Sequence, residues 1–394
     1  MKLLWLTAEI PFPPNTGGRI VMFKRIEYLS KNNEIHLFSI IDSDNDNKYK
    51  SELLRYCKNV FLYNRNKHRL SNLLKLGYGP YVCVSRWQST MKKDIDTLFG
   101  EIHPDFVIVD FPQMLGNLSD NVMNNGNIVL NQHNTEFVTL RNISSIYRNP
   151  LMRLAGKAES YRLKRLERNY YKQNLIKLYT FVSIEDMKFF EENYNLCNTY
   201  LLPIGTEISV LDTQHDDEFN ISFIGKMDYP ANAEAAIWFA RNVFVKIKDQ
   251  IPHLKYYIVG KNPLPMVRTL SDENPDIIVT GTVEDISEYF AKSDIVVIPL
   301  FHGGGVKVKL LEALGHGKLV ITTSKGIEGT IFEDKKELLV AETSEQFAKI
   351  ILDIYSNPNI YEPIKQQGFK CVKNKFTWSA IMEVFEEKLR KLNA

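Results

Sequence analysis

Residues 294–323 read DIVVIPLFHGGGVKVKLLEALGHGKLVITT. An apolar, β-branched run leads into three glycines, then into a helical apolar pattern starting near Val306, then into a second β-rich run. That is about the length of one βαβ unit. The scheme recurs along the chain. KLLWLT, EIHLFSI, NVFLY, DFVIVD, NIVLNQ and LYTFVS punctuate the first half, and ISFIGKM, KYYIVG, DIIVTG, DIVVIPL, KLVITT and ELLVAE the second, with amphipathic or polar stretches between them. Such alternation predicts parallel sheets covered by helices on both faces.

With 394 residues the chain exceeds what one core holds, roughly 250–300 residues, so two domains are expected. The pattern breaks over residues 196–220, a polar, turn-rich segment that reads as a linker. The prediction is two doubly wound α/β domains, 1–203 and 204–375. A helical tail over about 376–394, with Ile381, Val384, Phe385 and Leu389 at helical spacing, packs back on the first. Ligands of such sheets bind at the carboxyl ends of the strands, which places the functional cleft between the two domains.

Composition narrows the classes. A formal charge of +2 with 24% charged residues gives no reason to expect nucleic acid as a partner. Glu9 and Pro11 interrupt the apolar start before it can form a signal-peptide core, and no run reaches the ~18–20 apolar residues that span a bilayer. Cys57, Cys83, Cys197 and Cys371 form no C-x-x-C and suit reduced thiols in a cytoplasmic protein. The eight histidines include no H-x-x-x-H pair, so a protein-built metal site is not expected; no other cofactor is expected either.

The opening stretch carries chemistry as well as fold. Gly303, Gly304 and Gly305 let the backbone turn tightly with N–H groups outward, and Lys307 and Lys309 put two cations at a helix start, where the dipole disfavours them by ~0.3–1 kcal/mol. A bound anion reverses that penalty, so a phosphate or diphosphate cradle is one reading; two lysines solvating an exposed helix end is the other. Glu312, among apolar neighbours, is either a partnered carboxylate in a site or an exposed helix-face residue. In PFPPNTGGRIVMFKRIEYLSK, Gly17 and Gly18 precede an amphipathic helix with Ile20, Phe23, Ile26 and Leu29, a second anion-tolerant helix start or only a turn. In VLNQHNTEF, His133 follows a strand end, where it faces a cleft or belongs to a helix cap. DID at 94–96 lies in a lysine-flanked helical stretch and reads as structural.

Together these residues resemble the retaining GT-B glycosyltransferases of the large family four, which use nucleotide-diphosphate sugars. The most specific portions are GGGVKVKLLEALGHGKLVITTSKGIEG and SFIGKMDYPANAEAAIWFA, and LPIGTEI at 202–208 is similar to the family linker, with Ile204 where asparagine is usual. The resemblance implies the GT-B fold of two Rossmann-like domains, the first binding the acceptor and the second the donor. It implies that Glu312 accepts hydrogen bonds from ribose hydroxyls and that Lys307 and Lys309 hold the diphosphate, with Gly304, Gly305 and Val306 in the same loop. Gly17 and Gly18 would offer N–H groups to the phosphates, His133 would lie near the donor sugar, Val283 would touch the base, and Lys226 would reach phosphate. Many relatives carry glutamate eight residues before the second one, where this chain has Gly304. A GGG branch of the family shares that departure.

The implied activity is transfer, with retention, from a UDP- or GDP-sugar to a hydroxyl of a glycan, lipid-linked or protein-linked acceptor, in bacterial surface polysaccharide or glycoconjugate synthesis. Fixed cations and N–H groups stabilise the departing diphosphate, so no glycosidase-like carboxylate pair is needed. Residues 141–177 hold ten Lys or Arg against two Glu, with Leu154, Ala158, Tyr161 and Leu166 at helical spacing. That pattern suits peripheral contact with an anionic membrane, or a solvated helix packed by one stripe. A silent GT-B subunit and a sugar-nucleotide epimerase are the alternatives.

Overall fold

The computed structural model describes residues 1–66, 77, 79–145, 149–209, 219–302 and 307–393. Contacts divide the chain into two units, Met1–Pro203 with Met382–Ala394, and Ile204–Ile381.

The first unit is built on seven parallel strands: β1 (Lys2–Thr7), β2 (Glu34–Ile41), β3 (Asn59–Asn64), β4 (Phe106–Asp110), β5 (Ile128–Gln132), β6 (Ile176–Phe181) and β7 (Thr199–Leu201). Their order is β3-β2-β1-β4-β5-β6-β7, so the winding reverses between β1 and β4. Leu3 through Thr7 are all buried, which is why β1 reads as a continuous apolar run rather than an alternating one.

The second unit holds six parallel strands: β8 (Asn220–Ile224), β9 (Lys255–Val259), β10 (Ile277–Gly281), β11 (Ile295–Ile298), β12 (Leu319–Thr322) and β13 (Leu339–Val340). Here the order is β10-β9-β8-β11-β12-β13, reversing between β8 and β11. Its core joins Phe223, Phe239, Phe244, Tyr256 and Phe290 with the apolar face of the helix Val308–Gly315. The two doubly wound sheets are the fold class expected from the alternation of strands and helices.

Several expectations need correction. The supposed linker contains β7, and Thr206 bridges to Thr377; residues 210–218 lie outside the described set. The tail helix runs Trp378–Asn393, and Trp378–Ile381 group with the second unit while the rest groups with the first. Val384, expected on its packed face, is exposed, and Met382 is buried instead. In the helix Gly17–Leu29, Ile20 faces outward while Arg25 is fully buried.

The long helix Pro150–Lys172 does not bury the stripe its spacing suggested. Leu154, Ala158 and Tyr161 are exposed, and the packed face is Ser160, Leu163, Glu167 and Tyr171. Polar partners explain the difference: Ser160 donates to the Phe137 carbonyl at 2.7 Å, and Tyr171 donates to Glu167 at 3.1 Å while accepting from Gln132 at 2.6 Å. Among the described residues no helix is long and apolar enough to cross a membrane.

Candidate functional site

In the second unit, the helix Val308–Gly315 starts with Lys307 at its N-cap, so its positive end follows the carboxyl end of β11. Gly303, Gly304, Gly305 and Val306 lie outside the described residues. The helix begins two residues later than its apolar pattern suggested. Lys309, at its second position, donates to Asn232 Oδ1 at 2.5 Å, and its ammonium lies 4.6 Å from the centre of the Phe223 ring. Burial lowers the Lys309 pKa to about 7; Glu312, one turn on, pulls it back up and Lys307 pushes it further down. Glu312 is shifted upward, again by burial, against the opposing influence of Lys309. The pair is thus held where water stabilises charge poorly.

Sequence reading missed two partners of Lys309. Gly225 follows β8, and a Cβ built on it falls 2.8 Å from Lys309 Nζ and 3.0 Å from Asn232 Nδ2. Only glycine leaves that space open. Asn232 fixes the arrangement from the other side, donating to the Lys226 carbonyl at 2.8 Å while accepting from Lys309. Both residues stood inside SFIGKMDYPANAEAAIWFA, and Asn232 sits in the first turn of a helix opened by Pro230, a signal legible once a partner is known. Gly260, after β9, takes φ +149°, and a Cβ there would meet the Gly225 carbonyl oxygen at 1.7 Å. The Gly225 backbone can pass here only because Gly260 lacks a side chain.

These groups gather at the reversal between β8 and β11, where doubly wound sheets bind ligands. Lys226 remains largely exposed and pairs with Asp228 at 3.4 Å. Val283, two residues past β10, is half-buried against the second core.

In the first unit, the helix Gly17–Leu29 starts without a side-chain cap from Thr16 and without an acidic residue in its first turn. Its first backbone donors, at Gly17 and Gly18, are therefore suited to an outside acceptor. His133 follows β5 and is 6% exposed. Its Nε2 lies 2.8 Å from Asp110 Oδ1, and its ring stacks on Phe111 with centroids 4.4 Å apart. Asp110, at the end of β4, was missed by the sequence reading, although DFVIVD ends on it. It also accepts from Trp5 Nε1 at 2.5 Å and from Asn131 Nδ2 at 2.9 Å. Burial works against its charge, yet the hydrogen bond and charge of His133, the nearby Arg25 and the Trp5 bond together hold its pKa below the usual value. An ionised Asp110 makes Nε2 the donor and fixes the His133 tautomer. Two residues on, the Thr135 hydroxyl donates to Asp186 at 2.6 Å.

Asp94 and Asp96 are structural, accepting from Tyr63 at 2.7 Å and Ser119 at 2.5 Å. Among the described residues no group of three His, Cys, Asp or Glu is placed to hold a metal ion.

Comparison with known proteins places these observations. Over nearly the whole length of both chains, 98% of this one and 99% of the other, the sequence is 23% identical to an uncharacterised 44.6 kDa protein in a cps region of Klebsiella pneumoniae. Sucrose-phosphate synthase from Thermosynechococcus elongatus matches in structure with a TM-score of 0.65 at 15% identity, covering 100% of this chain and 99% of that one. Anabaena Alr3699/HepE, solved in complex with UDP and glucose, matches with a TM-score of 0.61 at 14% identity, covering 99% and 100%. Residues 218–357, which include β8, Gly225, Asn232, Lys309 and Glu312, match the glycosyl transferases group 1 model, on a chain whose paired parallel sheets have the GT-B fold.

Proposed function

We propose that this protein is a retaining glycosyltransferase, moving a sugar from a nucleotide-diphosphate sugar to an acceptor hydroxyl. The observation that carries the reading is the Lys309–Asn232–Gly225 arrangement beside Glu312, at the winding reversal of a unit that matches a glycosyl transferases model. In this reading Lys307 and Lys309 neutralise the departing diphosphate, and Glu312 accepts from the ribose hydroxyls. The resemblance assigns Gly304, Gly305 and Val306, which lie outside the described residues, to the same phosphate-binding stretch. Lys226 approaches phosphate, and Val283 flanks the base. Gly17 and Gly18 add backbone donors, and His133, its tautomer set by Asp110, stabilises charge or touches a hydroxyl at the donor sugar. The diphosphate itself takes the acceptor proton, so no metal is called for.

UDP is the first nucleotide to try, because Anabaena Alr3699/HepE was solved with it; GDP is the second. The acceptor class is a glycan, lipid-linked or protein-linked hydroxyl in bacterial surface polysaccharide or glycoconjugate synthesis, which the Klebsiella pneumoniae relative in a cps region supports. The enzyme works in the cytoplasm, in peripheral contact with anionic membrane. Leu151, Met152 and Leu154 are 74%, 54% and 67% exposed around Arg153 on the helix Pro150–Lys172, which suits that contact.

The test is a melting-temperature screen against UDP, GDP, ADP and their sugars, without metal. One nucleotide should raise the melting temperature, and Glu312→Ala should abolish the rise. In turnover with that donor, His133→Ala should lower kcat far more than it raises KM, and NMR of the product should show the anomeric configuration kept. A folded protein that binds none of these nucleotides removes the assignment. Binding without turnover in the absence of a partner favours a silent subunit.

A further inference from the structure

The first unit contains a cavity of about 230 Å³ lined by Ala8, Glu9 and Ile10 after β1, Phe111 and Gln113 after β4, and Arg19, Ile40, Asp42, Arg86 and Glu136. It therefore opens at the winding reversal of this sheet, between β1 and β4, where ligands of doubly wound sheets bind. Pockets for drug-sized molecules run to roughly 300–1,000 Å³, so this one takes about a single ring.

Its walls carry both signs of charge in matched positions. Arg19 Nε pairs with Glu9 at 2.9 Å, and Asp42 lies 3.7 Å from Arg65. Arg86 is pinned by donating Nε to the Ala8 carbonyl at 3.2 Å and Nη1 to the Val82 carbonyl at 2.9 Å. Glu136 lies in the field of Arg86 and is hydrogen-bonded by Asn134 and Gln113; burial, the largest influence, raises its pKa to about 7. An anionic ligand would face three carboxyl groups, and a cationic one two guanidinium groups. A neutral ligand rich in hydroxyls meets neither objection, because each hydroxyl can both donate and accept.

Gln113 supplies independent evidence of a missing partner. It is 4% exposed, its main-chain carbonyl accepts from Trp87 Nε1 at 2.9 Å, and its side chain serves Glu136, yet among the described residues its Oε1 has no hydrogen-bond partner. A buried amide oxygen left without a donor is costly, and a ligand hydroxyl would satisfy it.

We propose that this cavity is the acceptor subsite and that it selects an uncharged, polyhydroxylated sugar ring, held through Gln113, Glu136 and Arg86, over phosphorylated or uronic acid sugars. The inference rests on the glycosyltransferase reading above, but its first test needs no donor. Saturation-transfer NMR on the full chain would use methyl glucoside, galactoside and mannoside as neutral probes, with methyl glucuronide and glucose 6-phosphate as anionic ones. At least one neutral glycoside should give a signal that Gln113→Leu weakens about tenfold in affinity, and the anionic probes should give none. Glu136→Gln, close to isosteric, provides a second variant and should weaken the same neutral probe. Both variants should keep the nucleotide-induced rise in melting temperature, since neither residue belongs to the donor site. Binding of the anionic probes in preference to the neutral ones overturns the selectivity. Failure of every sugar while the nucleotide still stabilises the protein overturns the subsite and leaves the transferase reading standing. Loss of the nucleotide effect alone removes that reading instead.

Discussion

Lys309 shows how a single residue can be displaced in its chemistry by its neighbours. With its pKa brought to about 7 from 10.5 by burial, it is partly uncharged in the free protein near neutral pH. A diphosphate favours the ammonium form, so the bound pKa must be higher than the free one. Above pH 7 binding then requires proton uptake, and the nucleotide Kd should rise with pH, approaching tenfold per unit, while staying nearly flat below pH 7. Lys309→Met should bind more weakly at every pH and lose the slope; a wild-type affinity independent of pH from 6 to 9 would contradict the assignment. The same displacement has a stability consequence of defined sign. Between pH 7 and the ordinary lysine value the unfolded chain binds the extra proton, so this group makes the free protein more stable as pH rises through that window. Gly225 makes a companion case. The atom nearest an added Cβ is the mobile end of Lys309, so Gly225→Ala should cost little stability but push the ammonium aside. Nucleotide affinity is expected to fall about 10–100-fold with the melting temperature nearly unchanged, as calorimetry on folded variant would measure.

At the scale of elements, what was legible depended on how local the cause was. Strands of four or more residues buried on both faces announce themselves as apolar runs, which is why β1 and β8 were readable from LLWL and ISFI alone. The three-residue β7 did not, because half-buried Thr199, Tyr200 and Leu201 lie in a turn-rich context and become a strand only by pairing with β6. The glycine-led helix at Lys307 was legible through its charge anomaly, whereas Gly225 and Asn232, far away in sequence, are linked to it only by the fold. The helix Pro150–Lys172 misled for the opposite reason: its packed face includes Ser160 and Glu167, whose partners Phe137 and Tyr171 make polar residues acceptable inside. Its exposed apolar residues are then available to a membrane. Leu151→Ser with Leu154→Ser should cut binding to vesicles containing anionic lipid by about tenfold while leaving transfer to a soluble acceptor intact. Equal sedimentation of wild type and variant with such vesicles would return these residues to an ordinary solvated surface.

At the scale of the whole molecule, the chain's two sheets make two separate cores, one centred on Phe223, Phe239 and Tyr256, the other on Leu4, Phe38 and Phe181. The division was foreshadowed by length and by the repeated alternation. The assignment of the tail was less accessible, since where the helix Trp378–Asn393 changes unit depends on which core receives each turn, and nothing in its own spacing records that. Separate cores also separate the effects of mutation and ligand. Phe239 is fully buried in the second core, and Phe239→Ala should cost about 3–5 kcal/mol in the unit that carries Lys309 and Glu312. Leu163 is 1% exposed in the first core, and Leu163→Ala should cost about 2–5 kcal/mol there. A nucleotide at a hundred times its Kd adds about 2.7 kcal/mol to whatever it binds, so it should recover much of the loss in Phe239→Ala. Limited proteolysis followed over temperature would locate the effect: cleavage in residues 219–381 should move to higher temperature with nucleotide in the Phe239 variant, while cleavage in residues 1–203 of the Leu163 variant should move far less. Protection of the first unit alone would place the nucleotide on the wrong core and with it the whole division of labour between donor and acceptor.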